Sequence, residues 1–154
     1  MLEMTIVDVV NMKYPGEYDK GNVSFGRDFT GPVFITKWDV PSVPKPSSEE
    51  LEAMIPELKP QFDLAYLLKA GSAMIMAHLE AVAKERQYQS ALHCASYASS
   101  TNEQWQQDAR AFIKWRDDVW MYAYSELALI QAGDVPVPSV ESFMEGLPGI
   151  SWPS

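Results

Sequence analysis

His78, His93 and Cys94 carry the softest metal-binding side chains in this sequence, and their spacing fits no HxxxH, CxxC or HExxH arrangement. No metal site is expected from them. General acid and base chemistry would need two carboxylates held across one cleft. Asp117 and Asp118 are adjacent and diverge around a helix, while Glu49, Glu50 and Glu52 read as a solvated first turn. Serine and threonine crowd "ASYASST", but no nucleophile is framed as in GxSxG, and capping or turn formation explains them. GxGxxG and GxxxxGK are missing, so nucleotide phosphates have no glycine-rich cradle. The residue types predict no catalytic constellation, no cofactor and no metal.

What the sequence concentrates instead is ring surface. "FIKWRDDVWMYAYSEL", residues 112 to 127, holds two tryptophans, two tyrosines and a phenylalanine. On a helix, Trp105, Ala109, Phe112, Trp115 or Arg116, and Val119 or Trp120 form one stripe, with Leu127 further along. Rings at this spacing usually face a core. Tyr122 and Tyr124 point elsewhere, so the helix is aromatic on more than one face. Trp, Tyr, Met and Arg together are also the composition of interface hot spots. The residues expected to bind a partner are Trp115, Arg116, Trp120 and Tyr124, shared between core and interface, with Trp38 and Trp152 as outlying anchors.

The elements that must position these rings fall into two regions. Residues 1 to 46 read as short extended pieces: "TIVDVV" is β-branched, and "GPVFITKWDV" alternates Val33, Ile35 and Lys37 with Phe34, Thr36 and Trp38. Turn formers in "YPGEYDKGN" and "GRDFTG" separate them, predicting a β-meander or a pair of hairpins. The Pro-rich "VPSVPKP" at 40 to 46 is read as a linker. From residue 47 to 154 the pattern is helical. Ser47 and Glu50 have capping-box spacing. Pro56 is expected to end that short helix, and Pro60 to open the next, which runs to residue 86 with Gly71 and Ser72 weakening its middle. A second long helix, roughly 102 to 132, is expected behind a Thr101–Gln104 cap and stopped by Gly133. The tail is expected to hold a turn or two of helix between Ser139 and Gly146, with Trp152 folded back or docked. The fold class is therefore α+β, an N-terminal β region followed by an antiparallel helical hairpin and an irregular Pro-rich tail.

The formal charge of −9 is spread along the chain and repels phosphate backbones and anionic lipid, which disfavours nucleic-acid and membrane-surface partners. A protein or a neutral ligand fits better. A lone cysteine forms no intramolecular disulfide, and neither a signal peptide nor a spanning segment is recognisable, so synthesis in the cytoplasm is expected.

Several stretches resemble one family. They are "AxxRxY" at Ala83, Arg86 and Tyr88, "SYASS" at 96 to 100, "FxxWRDxVW" at 112 to 120, a Pro-rich tail ending in Trp-Pro, and "W…P…P…SSEEL" at 38 to 51. Together they resemble the tail fibre assembly proteins, or fibre chaperones, of tailed bacteriophages and prophages. The resemblance implies a chaperone in the host cytoplasm that binds the C-terminal, distal end of a trimeric tail fibre and assists its assembly. The alternative is a structural virion component, an adaptor or tip subunit that stays on the particle, and the resemblance leaves open whether the chain also associates with itself. Carbohydrate recognition, a third reading, requires exposed Trp and Tyr rings lining a concave surface.

Overall fold

The structure, a computed structural model, describes residues 3–153. Its elements in chain order are α1 (Ile6–Lys13), β1 (Val23–Arg27), β2 (Val33–Trp38), α2 (Ser48–Glu85), α3 (Ala91–Ser96), a 3-10 turn (Tyr97–Ser99), α4 (Glu103–Ala132) and α5 (Val140–Glu145). The architecture is α+β, an N-terminal β-hairpin followed by the long helices α2 and α4 packed together. The chain forms two compact units, one ending at Leu64 and the other beginning at Ala65.

In the first unit, "TIVDVV" is helical, not extended. The Asp8 carboxylate reaches back to accept from the Thr5 backbone N–H at 2.8 Å and from its hydroxyl at 2.7 Å, which fixes the first turn. Ile6, Val9 and Val10 then share one helical face and are all buried. Burial on that face overrides the β preference of branched side chains. Among the described residues the β region is one antiparallel hairpin, β1 against β2, with a bulge between Ser24 and Phe25, in place of a meander or two hairpins. Isolated ribbons of this size are marginal, and here Val23 and Ile35 join Ile6, Val9, Val10, Leu51 and Leu58 in one core. The 40 to 46 stretch is tied to the hairpin: Trp38 Nε1 donates to the Val43 carbonyl at 2.9 Å, and Lys45 Nζ donates to the Ile35 carbonyl at 2.9 Å.

The expected break at Pro56 does not occur. α2 is continuous, with Pro56 and Pro60 inside it. Each proline removes a ladder bond, freeing the carbonyls of Glu52 and Pro56. Glu52, Pro56 and Pro60 all lie on the exposed face, where water can donate to those carbonyls. The opposite face buries Leu51 and Leu58, with Met54, Ile55 and Phe62 packed beside them. Apolar burial therefore carries the helix past two residues that local propensity reads as a boundary.

The second unit follows its sequence signals more closely. Ser90 caps α3 by accepting from His93 N–H, and Ser139 caps α5 by accepting from Ser142 N–H. The cap of α4 is Asn102, whose Oδ1 accepts from Trp105 N–H at 3.2 Å, one residue after the expected Thr101. Gly133, at φ 81, closes α4 in the left-handed conformation. α2 and α4 run antiparallel: Arg86 lies beside Asp108, the His78 ring is 5.5 Å from that of Trp115, and Leu67 to Ile75 share a groove with Trp120 to Leu127.

Candidate docking groove and polar cleft

The six residues expected to bind a partner are dispersed. Trp115 is buried at 4% exposure, its Nε1 donating to the Pro148 carbonyl at 2.7 Å and its ring meeting Phe112 at 5.6 Å. Trp152 has folded back: its ring stacks on Phe112 at 6.2 Å, the Arg86 guanidinium lies 5.2 Å from its centroid, and Arg86 also donates to the Pro153 carbonyl at 2.7 Å. That cation–π contact and hydrogen bond pin the tail to the end of α2. Arg116 pairs at the surface with its neighbour Asp117. Trp38 sits in the first unit, edge-on to Tyr14 at 5.1 Å.

Trp120 and Tyr124 are the pair brought together. One helical turn apart on α4, their rings are 6.0 Å apart, and both line a groove that α2 completes with Leu68, Gly71 and Ser72. Leu127 and Phe143 extend the lining. The groove holds about 120 Å³, room for an anchoring side chain. Tyr124 is 66% exposed and Leu68 44%, so apolar surface is left facing solvent at its rim. Gly71 forms part of the wall, and a Cβ there would meet only Leu67 Cδ1, at 3.8 Å. A lone glycine in mid-helix gives no sign in the sequence of which α4 residues it faces.

A second concavity, about 670 Å³, opens where α2 ends against α3, the 3-10 turn and the start of α4. Its floor is Asp108, a carboxylate on the apolar face of α4 and only 6% exposed. It accepts from Tyr88 OH at 3.2 Å and Gln104 Nε2 at 3.1 Å, with an Arg86 terminal nitrogen at 3.7 Å. Burial, then the charge of Asp108, pushes the Tyr88 phenol up to about 12, so Tyr88 stays a donor at neutral pH. The same two causes push the Cys94 thiol up to about 11 and leave it inert. Rings of His93, Tyr97 and Trp105 wall the cleft. One sign of it was present in the sequence: Asp108 shares the stripe of Phe112, Trp115 and Val119, where an acid requires partners.

Among the described residues no three of His, Cys, Asp or Glu gather where they could hold a metal ion, and no helix is long and apolar enough to cross a membrane. Compared with known proteins, the chain matches no family model, no curated protein and no solved structure.

Proposed function

We propose that this chain works by binding, without chemistry of its own, as an assembly chaperone for the distal end of a trimeric tail fibre in the host cytoplasm. The observation that carries the docking role is the groove of Leu68, Gly71, Trp120 and Tyr124, apolar and open, bearing the ring types that dominate interface energetics. The fibre as client rests on the resemblance of the "AxxRxY", "SYASS" and "FxxWRDxVW" stretches. A β-rich trimer assembles slowly and exposes apolar edges while it does so, and a partner that covers an apolar anchor during that interval suppresses aggregation.

Co-expression with the adjacent fibre gene tests the client. Soluble, SDS-resistant trimer is expected only when the chain is present, and an equal yield without it overturns the proposal. The groove has a sharper test in Gly71→Ala. The added methyl restores helix propensity and meets no clash, so stability should rise by about 0.5–1 kcal/mol. The same methyl narrows the groove, so fibre binding should weaken. A variant that melts higher yet binds the fibre as tightly as the parent would remove the groove from the docking surface.

A further inference from the structure

We infer that the polar cleft at the end of α2 is a binding site for an uncharged saccharide, separate from the docking groove, with which it shares no lining residue. Three independent features point there. The first is unspent acceptor capacity. A buried carboxylate offers about four lone-pair positions and makes charge-assisted bonds near 2.7–2.9 Å. Asp108, at 6% exposure, accepts one hydrogen bond on each oxygen, from Tyr88 OH and Gln104 Nε2, with Arg86 at 3.7 Å, so part of that capacity is unused by the protein. A sugar hydroxyl donating from the cleft would use a further lone-pair position. The second is ring surface in a concavity: Trp105, 48% exposed, is held edge-to-face by Tyr97 at 5.3 Å, leaving indole surface on which the C–H face of a pyranose can lie.

The third is a backbone outlier at the rim. α2 ends in a Schellman motif: Tyr88 N–H donates to the Ala83 carbonyl at 3.1 Å and Gln87 N–H to the Lys84 carbonyl at 2.9 Å. The first residue past the helix end must be left-handed in this motif, and Gln87 adopts φ 66. α4 ends in the same motif, with Asp134 N–H on the Leu129 carbonyl and Gly133 N–H on the Ile130 carbonyl, and there the left-handed position holds a glycine at no steric cost. Stability alone would place glycine at 87 too. Glutamine sets an exposed amide, donor and acceptor together, at the mouth of the cleft. Phe29 and Ser42 are also left-handed, and of the three Gln87 is the one that lines this cleft. An acceptor-rich floor, an open indole and a rim amide match the alternating hydroxyls and apolar face of a neutral sugar. Anions are disfavoured, because Glu85 and Asp108 line the cleft and the Arg86 terminal nitrogen is held by Pro153 and Asp108; the buried Arg86 Nε, which has no partner, is a donor that a hydroxyl oxygen can meet.

Titration of the 15N-labelled full chain with methyl glucoside, methyl galactoside and N-acetylglucosamine tests the site. N-acetylneuraminic acid and inorganic phosphate serve as anionic comparators. At least one neutral sugar should move the Trp105 indole N–H and the Gln87 and Gln104 side-chain amides in a saturable way. Trp105→Ala should weaken that binding about tenfold, the loss of one stacked ring. Gln87→Gly should melt higher than the parent and bind about fivefold more weakly, a combination that a purely structural role for Gln87 would not give. Silence toward every neutral sugar, shifts that survive both substitutions, or binding of an anionic probe in preference to the neutral ones would each overturn the assignment.

Discussion

Trp115→Ala is expected to destabilise the second unit by about 3–5 kcal/mol, the range for removing a large buried aromatic side chain. The indole is 4% exposed, lies against His78 at 5.5 Å and Phe112 at 5.6 Å, and anchors the tail through the Pro148 carbonyl. Truncation opens a cavity between α2 and α4 and leaves that carbonyl without its donor. Two controls separate the contributions. Trp115→Phe keeps much of the volume but not the N–H, and should cost about 1–2 kcal/mol. Trp120→Ala, on the groove and only half-buried, should cost less than Trp115→Ala and act mainly on partner binding. Urea unfolding followed by circular dichroism reads all three. A Trp115→Ala midpoint close to that of the parent would mean the indole is not the core residue described here.

That contrast between Trp115 and Trp120 marks where the sequence stops being informative. Helical periodicity put both on α4, and Gly133 bounded that helix, because period and caps are local properties. Whether a ring is buried or left at a groove depends on what stands opposite it, and nothing in residues 112 to 127 reveals Leu68 or Gly71. α1 was obscured for a different reason. Ile6, Val7, Val9 and Val10 suit a strand by type and a helix by spacing, and the return of Asp8 to Thr5 together with burial of Ile6, Val9 and Val10 decides between them. The polar cleft was harder still, since it is built at a chain reversal by a left-handed Gln87 that no propensity rule would place there.

Leu51→Ala is expected to remove about 2–5 kcal/mol from the first unit and to loosen the hairpin along with the helix. The reason lies in the two prolines of α2. With the ladder bonds to the carbonyls of Glu52 and Pro56 absent, intrinsic propensity does not sustain residues 48 to 62, and the buried face does. Leu51, at 0% exposure, belongs to the same buried core as Val23 and Ile35 of the hairpin, so its loss loosens the packing that helix and hairpin share. Hydrogen exchange resolves this within one unit: amides of Val23–Trp38 and of residues 51 to 62 should lose protection together. Pro56→Ala tests the same balance from the other side. Pro56 is exposed, and alanine restores the bond to Glu52, for a gain of about 1–3 kcal/mol. Combined with Leu51→Ala it should recover helix protection but not the hairpin's, because a restored ladder bond does not refill the space that Leu51 leaves in the shared core. Hairpin amides that stay protected in Leu51→Ala would show that the ribbon holds without this packing and that the shared core does not carry α2 across its two prolines.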